Sequence, residues 1–312
     1  MPRFNMAALV VNPQAHNAAS LDVEAAGRQL EQAGVTVSVV VPDSIEASTA
    51  ALRDAVQSGA EVVFMGGGDG TLRQAAKELV DTEVVLAPIP LGTANVLAKE
   101  LGIPRDWREA IDVHLQGQTE EMDVGWAGDE PFLLMASIGW DAEVAANVNL
   151  AIKKRVGAAA YVLSAATRVR KILAPAPIKG TIDHEEAVGE ASILVIGNTR
   201  NYGGVVEFTP DALANDGVFD LCGVKPRNFL HGVRLLVGLA RSNLSEGDLV
   251  SYNRGSHIVV DTPDMPVQVD GDVIGETPMT FTLAARALKI SVPAGTLPQI
   301  FGDRRKPSSD AS

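Results

Sequence analysis

A glycine run with the features of a phosphate-binding loop is the strongest chemical signal in this sequence. The apolar run 62–65 has the length and β-branched content of a buried strand, and it leads directly into Gly66, Gly67 and Gly68. Without side chains, glycine can adopt positive φ and lets its N–H groups approach a ligand closely. Gly70 and Thr71 follow, and we expect Thr71 to cap the next helix. Such N–H groups and a helix N-terminus suit phosphate oxygens. A tight strand-to-helix turn without any ligand is the simpler alternative.

Asp69 is unexpected in such a loop. A carboxylate repels phosphate unless a metal ion or a proton intervenes. The loop also matches neither common nucleotide-binding fingerprint, because GxGxxG and GxxxxGK[ST] are both absent. The sequence therefore indicates an unusual phosphate site.

Further polar residues follow other predicted strands. Asn12 ends the first apolar run, and Thr93 and Asn95 lie between a later strand and the helical pattern VLAKEL. Thr93 and Asn95 have a simple alternative as helix caps. Because the carboxyl ends of parallel strands meet at one edge of a sheet, we expect Asn12 to lie near the glycine loop.

Two acidic clusters stand among the apolar strands of the second half. One runs from Asp211 to Asp220, and the other is Asp270-Gly271-Asp272. Aspartate beside glycine is typical of a β-turn, and two turns are the simpler interpretation. If these turns approach the glycine loop, they offer oxygen ligands for Mg²⁺ and a carboxylate that can accept a hydroxyl proton. That combination points to a kinase.

The order of predicted elements divides the chain into two parts. Strands and helices alternate up to about residue 118, including a helix at Ile45–Gln57, and this predicts right-handed crossovers and a parallel sheet. From about Thr119, short strand candidates separated by turns predict a mostly antiparallel β domain. Met279–Leu283 and Leu288–Val292 are predicted as two separate strands. One long helical pattern, 147–173, interrupts the second half.

These patterns predict an α/β nucleotide-binding domain over 1–120 and a β domain over 121–292. Residues 293–302 are a candidate return to the first domain, and 303–312 form a polar tail that we expect to be disordered. A chain of 312 residues is long for one core and comfortable for two.

Charge and composition restrict the partners. The formal net charge of −13 opposes nonspecific binding to nucleic acid, so we expect no nucleic-acid partner. The lone cysteine, Cys222, excludes an internal disulfide and fits a reducing cytoplasm. No signal peptide and no run of ~20 apolar residues is present, so we expect a soluble or peripheral protein. Basic residues within 147–173 are either a solvated face or a contact for an anionic membrane surface: Lys153, Lys154, Arg155, Arg168, Arg170 and Lys171.

Five motifs in order resemble the diacylglycerol kinase catalytic family, which includes bacterial diacylglycerol kinases, YegS-like lipid kinases, and sphingosine and ceramide kinases. They are GGGDGT at 66–71, PLGTANVLA at 90–98, YGG at 202–204, the Pro-x-Ala pattern ending in Asp-Gly at 210–217, and Asp-Gly-Asp at 270–272. The resemblance spans nearly the whole chain. It implies a phosphofructokinase-like first domain with a parallel sheet, a C-terminal β-sandwich, and an active site in the cleft between them.

The resemblance also implies roles for individual residues. ATP would be held by Asn12, Gly66, Gly67, Gly68, Asp69, Gly70, Thr71 and Thr93. Mg²⁺ would be bound by Asp216 with the carbonyls of Leu213 and Val218. Asp270 and Asp272 fall at the position of the catalytic base, with Asp69 as the rival candidate, and Asp123 would support the metal network.

Some positions depart from the family pattern. The loop after Asn12 lacks the usual glycine, so it remains open whether ATP binding is weakened. Val41 stands where a threonine is common, and Asp272 is one methylene shorter than the usual glutamate. The expected activity is ATP- and Mg²⁺-dependent phosphorylation of a lipid hydroxyl at a membrane surface. The acceptor is open among diacylglycerol, phosphatidylglycerol and sphingoid or ceramide lipids, and homodimerisation is also open.

Two alternatives remain. An NAD kinase shares GGDGT, but it would carry an Asn-Glu pair after the glycine loop, and neither NE nor ND occurs near 90–130. A lipid or nucleotide sensor that keeps the fold without turnover is the second alternative.

Overall fold

A computed structural model of the chain describes residues 3–139, 176–202, 206–225, 247 and 249–302. The chain forms two compact units. Unit 1 comprises Met1–Val124, Leu213–Gly217 and Ala285–Ser312, and unit 2 comprises Gly125–Ala212 and Val218–Ala284. The helical pattern at 147–173 with its basic residues, Gly203 and Gly204 of the YGG motif, and the tail at 303–312 lie outside the described residues.

Unit 1 is an alternating α/β structure, as predicted. Its elements in chain order are β1 (Met6–Val11), a 3₁₀ turn (Ala18–Ser20), α1 (Val23–Gln32), β2 (Thr36–Val40), α2 (Ile45–Gln57), β3 (Val62–Gly67), α3 (Asp69–Leu79), β4 (Val85–Pro90), α4 (Val96–Glu100) and α5 (Trp107–Gln116). β5 (Gln118–Ala127) and β18 (Met279–Val292) each contribute residues to both units.

The strands β2-β1-β3-β4-β18 of unit 1 pair in this order and are parallel, and β5 also pairs with β18. β3 and β4 are buried along their whole length, which explains why both read as uninterrupted apolar runs. α1 and α5 pack on one face, where Leu9 and Phe64 of the sheet meet Leu30 and Ile111. α2 and α3 pack against each other. α2 contacts β1, and α3 contacts β3 and β4.

Unit 2 is built from antiparallel strands. They are β6 (Glu130–Phe132), β7 (Met135–Gly139), β8 (Ala176–Ile182), β9 (Glu185–Ala191), β10 (Ile193–Gly197), β11 (Asn201–Tyr202), β12 (Val206–Glu207), β13 (Phe219–Val224), β14 (Val250–Gly255), β15 (His257–Val260), β16 (Pro266–Val269) and β17 (Asp272–Glu276).

Two sheets of unit 2 share one apolar core. The first has the order β14-β13-β10-β7-β16-β17, and the second joins β18, β15, β8 and β9. Their facing side chains meet in a single cluster, in which Ile196 and Phe219 of the first sheet pack with Ile258 and Phe281 of the second. The predicted combination of a parallel α/β domain and an antiparallel β-sandwich is therefore confirmed.

The two strands predicted at Met279–Leu283 and Leu288–Val292 form one continuous strand, β18. The intervening residues 284–287 are three alanines and Arg286, and Ala285 and Arg286 are exposed. The pattern of large apolar residues is therefore interrupted there although the strand continues.

His114 is a buried histidine in the core of unit 1. It lies in α5 with no exposed surface, its Nε2 is 2.8 Å from the carbonyl oxygen of Pro88, and its ring meets the edge of Phe64. Burial lowers the pKa of His114 to about 4. The imidazole is therefore neutral at pH 7, and Nε2 carries the proton donated to Pro88.

This histidine makes the stability of the protein depend on pH. The unfolded chain takes up the proton near pH 6.5, whereas the folded protein resists it down to about pH 4. The stabilisation is complete above pH 6.5 and is lost as the pH falls towards 4, to a total of roughly 3 kcal/mol.

We expect His114→Gln to flatten the fall of the urea midpoint between pH 6.5 and 4.5. His16→Gln, at an exposed histidine, is the matched control and is expected to keep the wild-type slope. Equal slopes for wild type and His114→Gln would contradict the assignment.

Candidate active site

The glycine loop connects β3 to α3 more tightly than the sequence suggested. β3 continues through Gly67, Gly68 is the N-cap of α3, and the helix already begins at Asp69. Thr71 therefore lies inside the first turn, and its predicted role as the cap is wrong. None of the loop glycines is among the residues with positive φ. Glycine is needed at these positions because it has no Cβ atom.

Close packing explains the glycines. A Cβ on Gly67 would collide with the side chain of Thr71, and one on Gly92 would lie 2.6 Å from the Cα of Gly68. The β3–α3 loop thus touches the β4–α4 loop backbone to backbone. Asn95 supports this contact, because its side chain brackets Gly92, accepting from the Gly92 N–H at 2.8 Å and donating to the Gly92 carbonyl at 2.8 Å. Asn95 is not a side-chain cap of α4.

Asp69 joins the same two loops. Its carboxylate accepts hydrogen bonds from the backbone N–H groups of Val96 and Leu97, both at 3.0 Å. These groups open α4, so the carboxylate lies at a helix N-terminus that favours negative charge. From the sequence, a metal ion or a proton was the expected partner of this carboxylate. In the structure its partners are instead the two backbone N–H groups.

Asn12 fastens the end of β1 to the glycine loop, as expected. Its backbone N–H donates to the Gly66 carbonyl at 2.8 Å, and its side-chain amide donates to Thr71 Oγ1 at 2.9 Å. Asn17, which the sequence analysis did not select, donates from its side chain to the Gly92 carbonyl at 3.0 Å. The loop after Asn12 therefore packs against the β4–α4 loop without the usual glycine.

A cavity of about 570 Å³ lies beside these loops within unit 1. Among the predicted ATP residues, five line it: Asn12, Gly68, Gly70, Thr71 and Thr93. Gly66, Gly67 and Asp69 do not line it and instead shape the loops behind it. A further wall comes from the β2–α2 loop and the first residues of α2, namely Pro42, Asp43, Ser44, Ile45 and Ser48. The sequence analysis missed this wall, although it follows the carboxyl end of a parallel strand, where ligand-binding residues are expected.

The Asp-Gly turn at 216–217 is held by Asp123, which is fully buried. Its carboxylate accepts from the Gly217 N–H at 2.8 Å and from the Arg286 N–H at 2.7 Å. Burial raises the pKa of the Asp123 carboxyl, against the opposing effect of these two donors. Asn215 fixes the other side of the turn by accepting from the Gly302 N–H at 2.8 Å. Asp216 itself is exposed.

The acidic pair of unit 2 lies on a hairpin. Asp270 and Gly271 have φ values of 48° and 97° and form the two-residue turn between β16 and β17, in agreement with the simpler interpretation of this motif. The Asp270 carboxylate also accepts three backbone hydrogen bonds, from Leu133, Leu134 and Met135, at 2.8, 2.9 and 3.0 Å. Asp272 begins β17 and is exposed. The two carboxylates therefore differ, because Asp270 is anchored and Asp272 is accessible.

The described residues contain no group of three or more histidine, cysteine or acidic side chains arranged to hold a metal ion. An all-protein cage is not what Mg²⁺ requires, since it is usually bound by one or two carboxylates together with waters and substrate phosphates. The exposed Asp216, on a turn fixed at both ends, fits that kind of site. The assignment of Leu213, Asp216 and Val218 as ligands stays a prediction.

Within the described ranges, none of the helices has both the length and the apolar content needed to cross a bilayer.

Comparison with known proteins identifies the family. Residues 6–127 match the diacylglycerol kinase catalytic domain, and residues 135–292 match the YegS C-terminal NAD kinase beta sandwich-like domain. A relative from Pseudomonas putida named "Probable lipid kinase YegS-like" is 32% identical over 279 residues, which cover 88% of this chain and 92% of the relative. A diacylglycerol kinase from Mycobacterium tuberculosis is 29% identical over 292 residues, covering 91% and 94% of the two chains.

Solved structures agree on the fold. The crystal structure of a diacylglycerol kinase from Bacillus anthracis superposes with a TM-score of 0.72 at 20% identity, covering 94% of this chain and 98% of that one. The motifs in the glycine loop and the acidic turns, both family models and the relatives lead to one conclusion: this chain is a member of the diacylglycerol kinase catalytic family and carries the YegS type of C-terminal domain.

Proposed function

We propose that the protein is an ATP- and Mg²⁺-dependent lipid kinase that transfers the γ-phosphoryl group to a lipid hydroxyl. The observation that carries this proposal is the cavity of unit 1, which is lined by Asn12, Gly68 and Thr71 of the family's phosphate-binding motif. Membership of the family supports a kinase, and the individual roles below are inferences from the geometry.

The nucleotide binds in the cavity beside the glycine loop. Gly68 and Gly70 present backbone to the cavity, and the adjacent N-terminus of α3 favours the negative charge of a phosphate chain. Thr71 and Thr93 add hydroxyl groups at the same wall. Asp69 takes no direct part in this binding, because its carboxylate is turned to the N-terminus of α4.

Asp216 and the carbonyl oxygens of Leu213 and Val218 would hold Mg²⁺, which would neutralise the phosphate charge when bound. Asp123 fixes the turn that presents Asp216 through the Gly217 N–H. Both carboxylate oxygens of Asp123 accept backbone N–H bonds. Asp123 therefore positions the turn and is not itself a ligand.

The Asp270/Asp272 pair accepts the proton of the attacking hydroxyl. A carboxylate near the hydroxyl is what phosphoryl transfer needs from the protein besides positioning. Asp270 is fixed by three backbone N–H donors, and Asp272 is exposed two residues away. Asp69 is the rival candidate. Both of its oxygens already accept N–H bonds at α4, and so do both oxygens of Asp270, whereas Asp272 is exposed and is therefore the most accessible of the three carboxylates.

The acceptor is a lipid met at a membrane surface from the cytoplasmic side. Diacylglycerol, phosphatidylglycerol and sphingoid or ceramide lipids carry the same chemical group, a hydroxyl at the polar end of an apolar molecule. The relatives named lipid kinase and diacylglycerol kinase favour this class of acceptor over a soluble one.

The decisive experiment is incubation of the protein with γ-labelled ATP, Mg²⁺ and a panel of lipid hydroxyls in vesicles, followed by separation of the lipids. We expect label in one lipid class. A second arm offers NAD as the acceptor, and label there would replace the proposal with an NAD kinase activity. Nucleotide binding without release of ADP in any arm would indicate a sensor without turnover.

Replacement of the two aspartates separates their roles. In Asp270→Asn an amide NH₂ replaces one acceptor oxygen and faces an N–H donor, so we expect a loss of stability of about 1–3 kcal/mol together with a loss of kcat. Asp272→Asn changes an exposed group, and we expect stability within about 0.5 kcal/mol of wild type with kcat reduced by roughly 100-fold or more. Urea unfolding and initial rates measure the two effects. ADP binding should persist in both variants, and a fully active double variant would remove the assignment.

The contact between the two loops can be tested at Gly92. A Cβ there would press on the Gly68 backbone and on Asn95, so Gly92→Ala is expected to weaken ADP binding at least about tenfold, since a shift of about 1 Å is enough to disturb a binding geometry. The matched control is Gly27→Ala in α1, whose new Cβ would meet Val39 at an ordinary 3.4 Å. That variant should bind ADP normally and gain roughly 0.5–1 kcal/mol of stability. Calorimetry with ADP provides the comparison, and unchanged affinity in Gly92→Ala would show that the cavity does not depend on this contact.

A further inference from the structure

A buried amide lies directly beside the acidic turn. Gln268 in β16 has no exposed surface, and its neighbours Val267 and Val269 belong to the core of the sandwich. Because side chains alternate along a strand, Gln268 points to the opposite face of the sheet. Its direct partner across the β7–β16 pairing is Ser137, which is also fully buried.

Both ends of this amide are engaged. The Gln268 Oε1 accepts from the Gly271 N–H at 2.6 Å, and its Nε2 donates to Ser137 Oγ at 2.8 Å. Since the Gly271 N–H can only donate, the oxygen of the amide must be the atom that faces it. The side chains thus link the middle of β7 to the turn that carries the two aspartates.

An apolar residue at this position could be buried without needing hydrogen-bond partners. Burying an amide is unfavourable unless its groups are hydrogen-bonded, and leaving one unpaired costs roughly 1–3 kcal/mol. Leucine has a similar volume and would pack without that requirement. The presence of glutamine is therefore explained by what it holds, which is the Gly271 N–H.

The turn needs such a support because the hairpin is irregular. Val267 pairs with Gly275 but Gln268 pairs with Val273, so the extra residue of a bulge, Ile274, lies on β17 shortly after the turn. A bulge disrupts the local ladder of hydrogen bonds and bends the bulged strand. Asp270 is anchored by its carboxylate to residues 133–135, and Gly271 is anchored by Gln268. Both residues of the turn are thereby fixed despite the bulge.

We propose that Gln268 and Ser137 form a positioning pair for the Asp270-Gly271-Asp272 turn. By fixing the Gly271 N–H, the pair holds the carboxylates of Asp270 and Asp272 in the orientation in which they can accept the hydroxyl proton. This inference rests on the proposed kinase function. Neither residue touches the reacting atoms, and both act through the turn. Displacements of about 1 Å can cost roughly 100-fold in rate, so an effect through position is measurable.

The central test is the double variant Gln268→Leu/Ser137→Ala. It removes both members of the Gln268–Ser137 hydrogen bond together, so neither side chain is left facing the other's missing group, while the Gly271 N–H loses its acceptor. We expect kcat for lipid phosphorylation to fall at least tenfold, with the KM for ATP and the affinity for ADP unchanged. Unfolding in urea shows whether the variant is folded. A folded double variant with wild-type kcat would overturn the proposal.

Rescue by a conservative change separates positioning from general packing. Gln268→Glu keeps an oxygen opposite the Gly271 N–H, whereas Gln268→Leu does not. We therefore expect the glutamate variant to retain at least ten times the kcat of the leucine variant. Equal kcat values would contradict the proposal. Cys222→Ala is the matched control, because it alters a buried residue of the same sheet outside the turn and its contacts, and it should leave kcat unchanged.

A measurement independent of activity distinguishes this inference from the proposed function. Amide hydrogen exchange in a peptide that covers 270–273 should be slow in wild type and faster in the double variant. If wild-type protein phosphorylates no lipid, the proposed function fails, while the exchange result still reports on the pair. Equal exchange in both proteins would remove the pair as a support of the turn.

Discussion

Carboxylates that accept backbone N–H groups from distant parts of the chain are the interactions on which the candidate site depends. Asp69 holds the start of α4, Asp123 holds Gly217 and Arg286, and Asp270 holds residues 133–135. A carboxylate withdrawn from water needs such donors, and loop N–H groups need acceptors. Each aspartate therefore satisfies both requirements, and it fixes a loop that presents other groups for chemistry.

This division of roles changes the interpretation of an acidic sequence. The chain has a net charge of −13, and its motifs place aspartates in every predicted subsite. In the structure, Asp216 and Asp272 are exposed, whereas Asp123 is buried and Asp270 is partly buried among donors. The exposed members can meet a cation or a hydroxyl. The anchored ones set where those exposed carboxylates lie, which is why a change in either class can affect the same reaction.

The sequence predicted most of the fold because local signals were strong. α2 has the predicted bounds, Ile45–Gln57, since Ser44 caps its start and Gly59 follows its end.

β9 and β17 were missed, because these edge strands carry glutamates and glycines where a central strand would be apolar. α5 was missed as well. The contacts of Asn17 and Gln268 join residues 75 and 131 positions away. No spacing rule within a single sequence identifies such partners.

The order in which unit 1 is assembled has a consequence for biosynthesis. In its sheet, β18 pairs with β4 near Ile290. About two hundred positions separate the two strands, and the short insertion Leu213–Gly217 also belongs to this unit. The ribosome must therefore synthesise all the elements from α4 to β17 before β4 can gain β18 as its second neighbour. Until then β4 has an unpaired edge in the nascent α/β half, and an unpaired strand edge favours pairing with other chains.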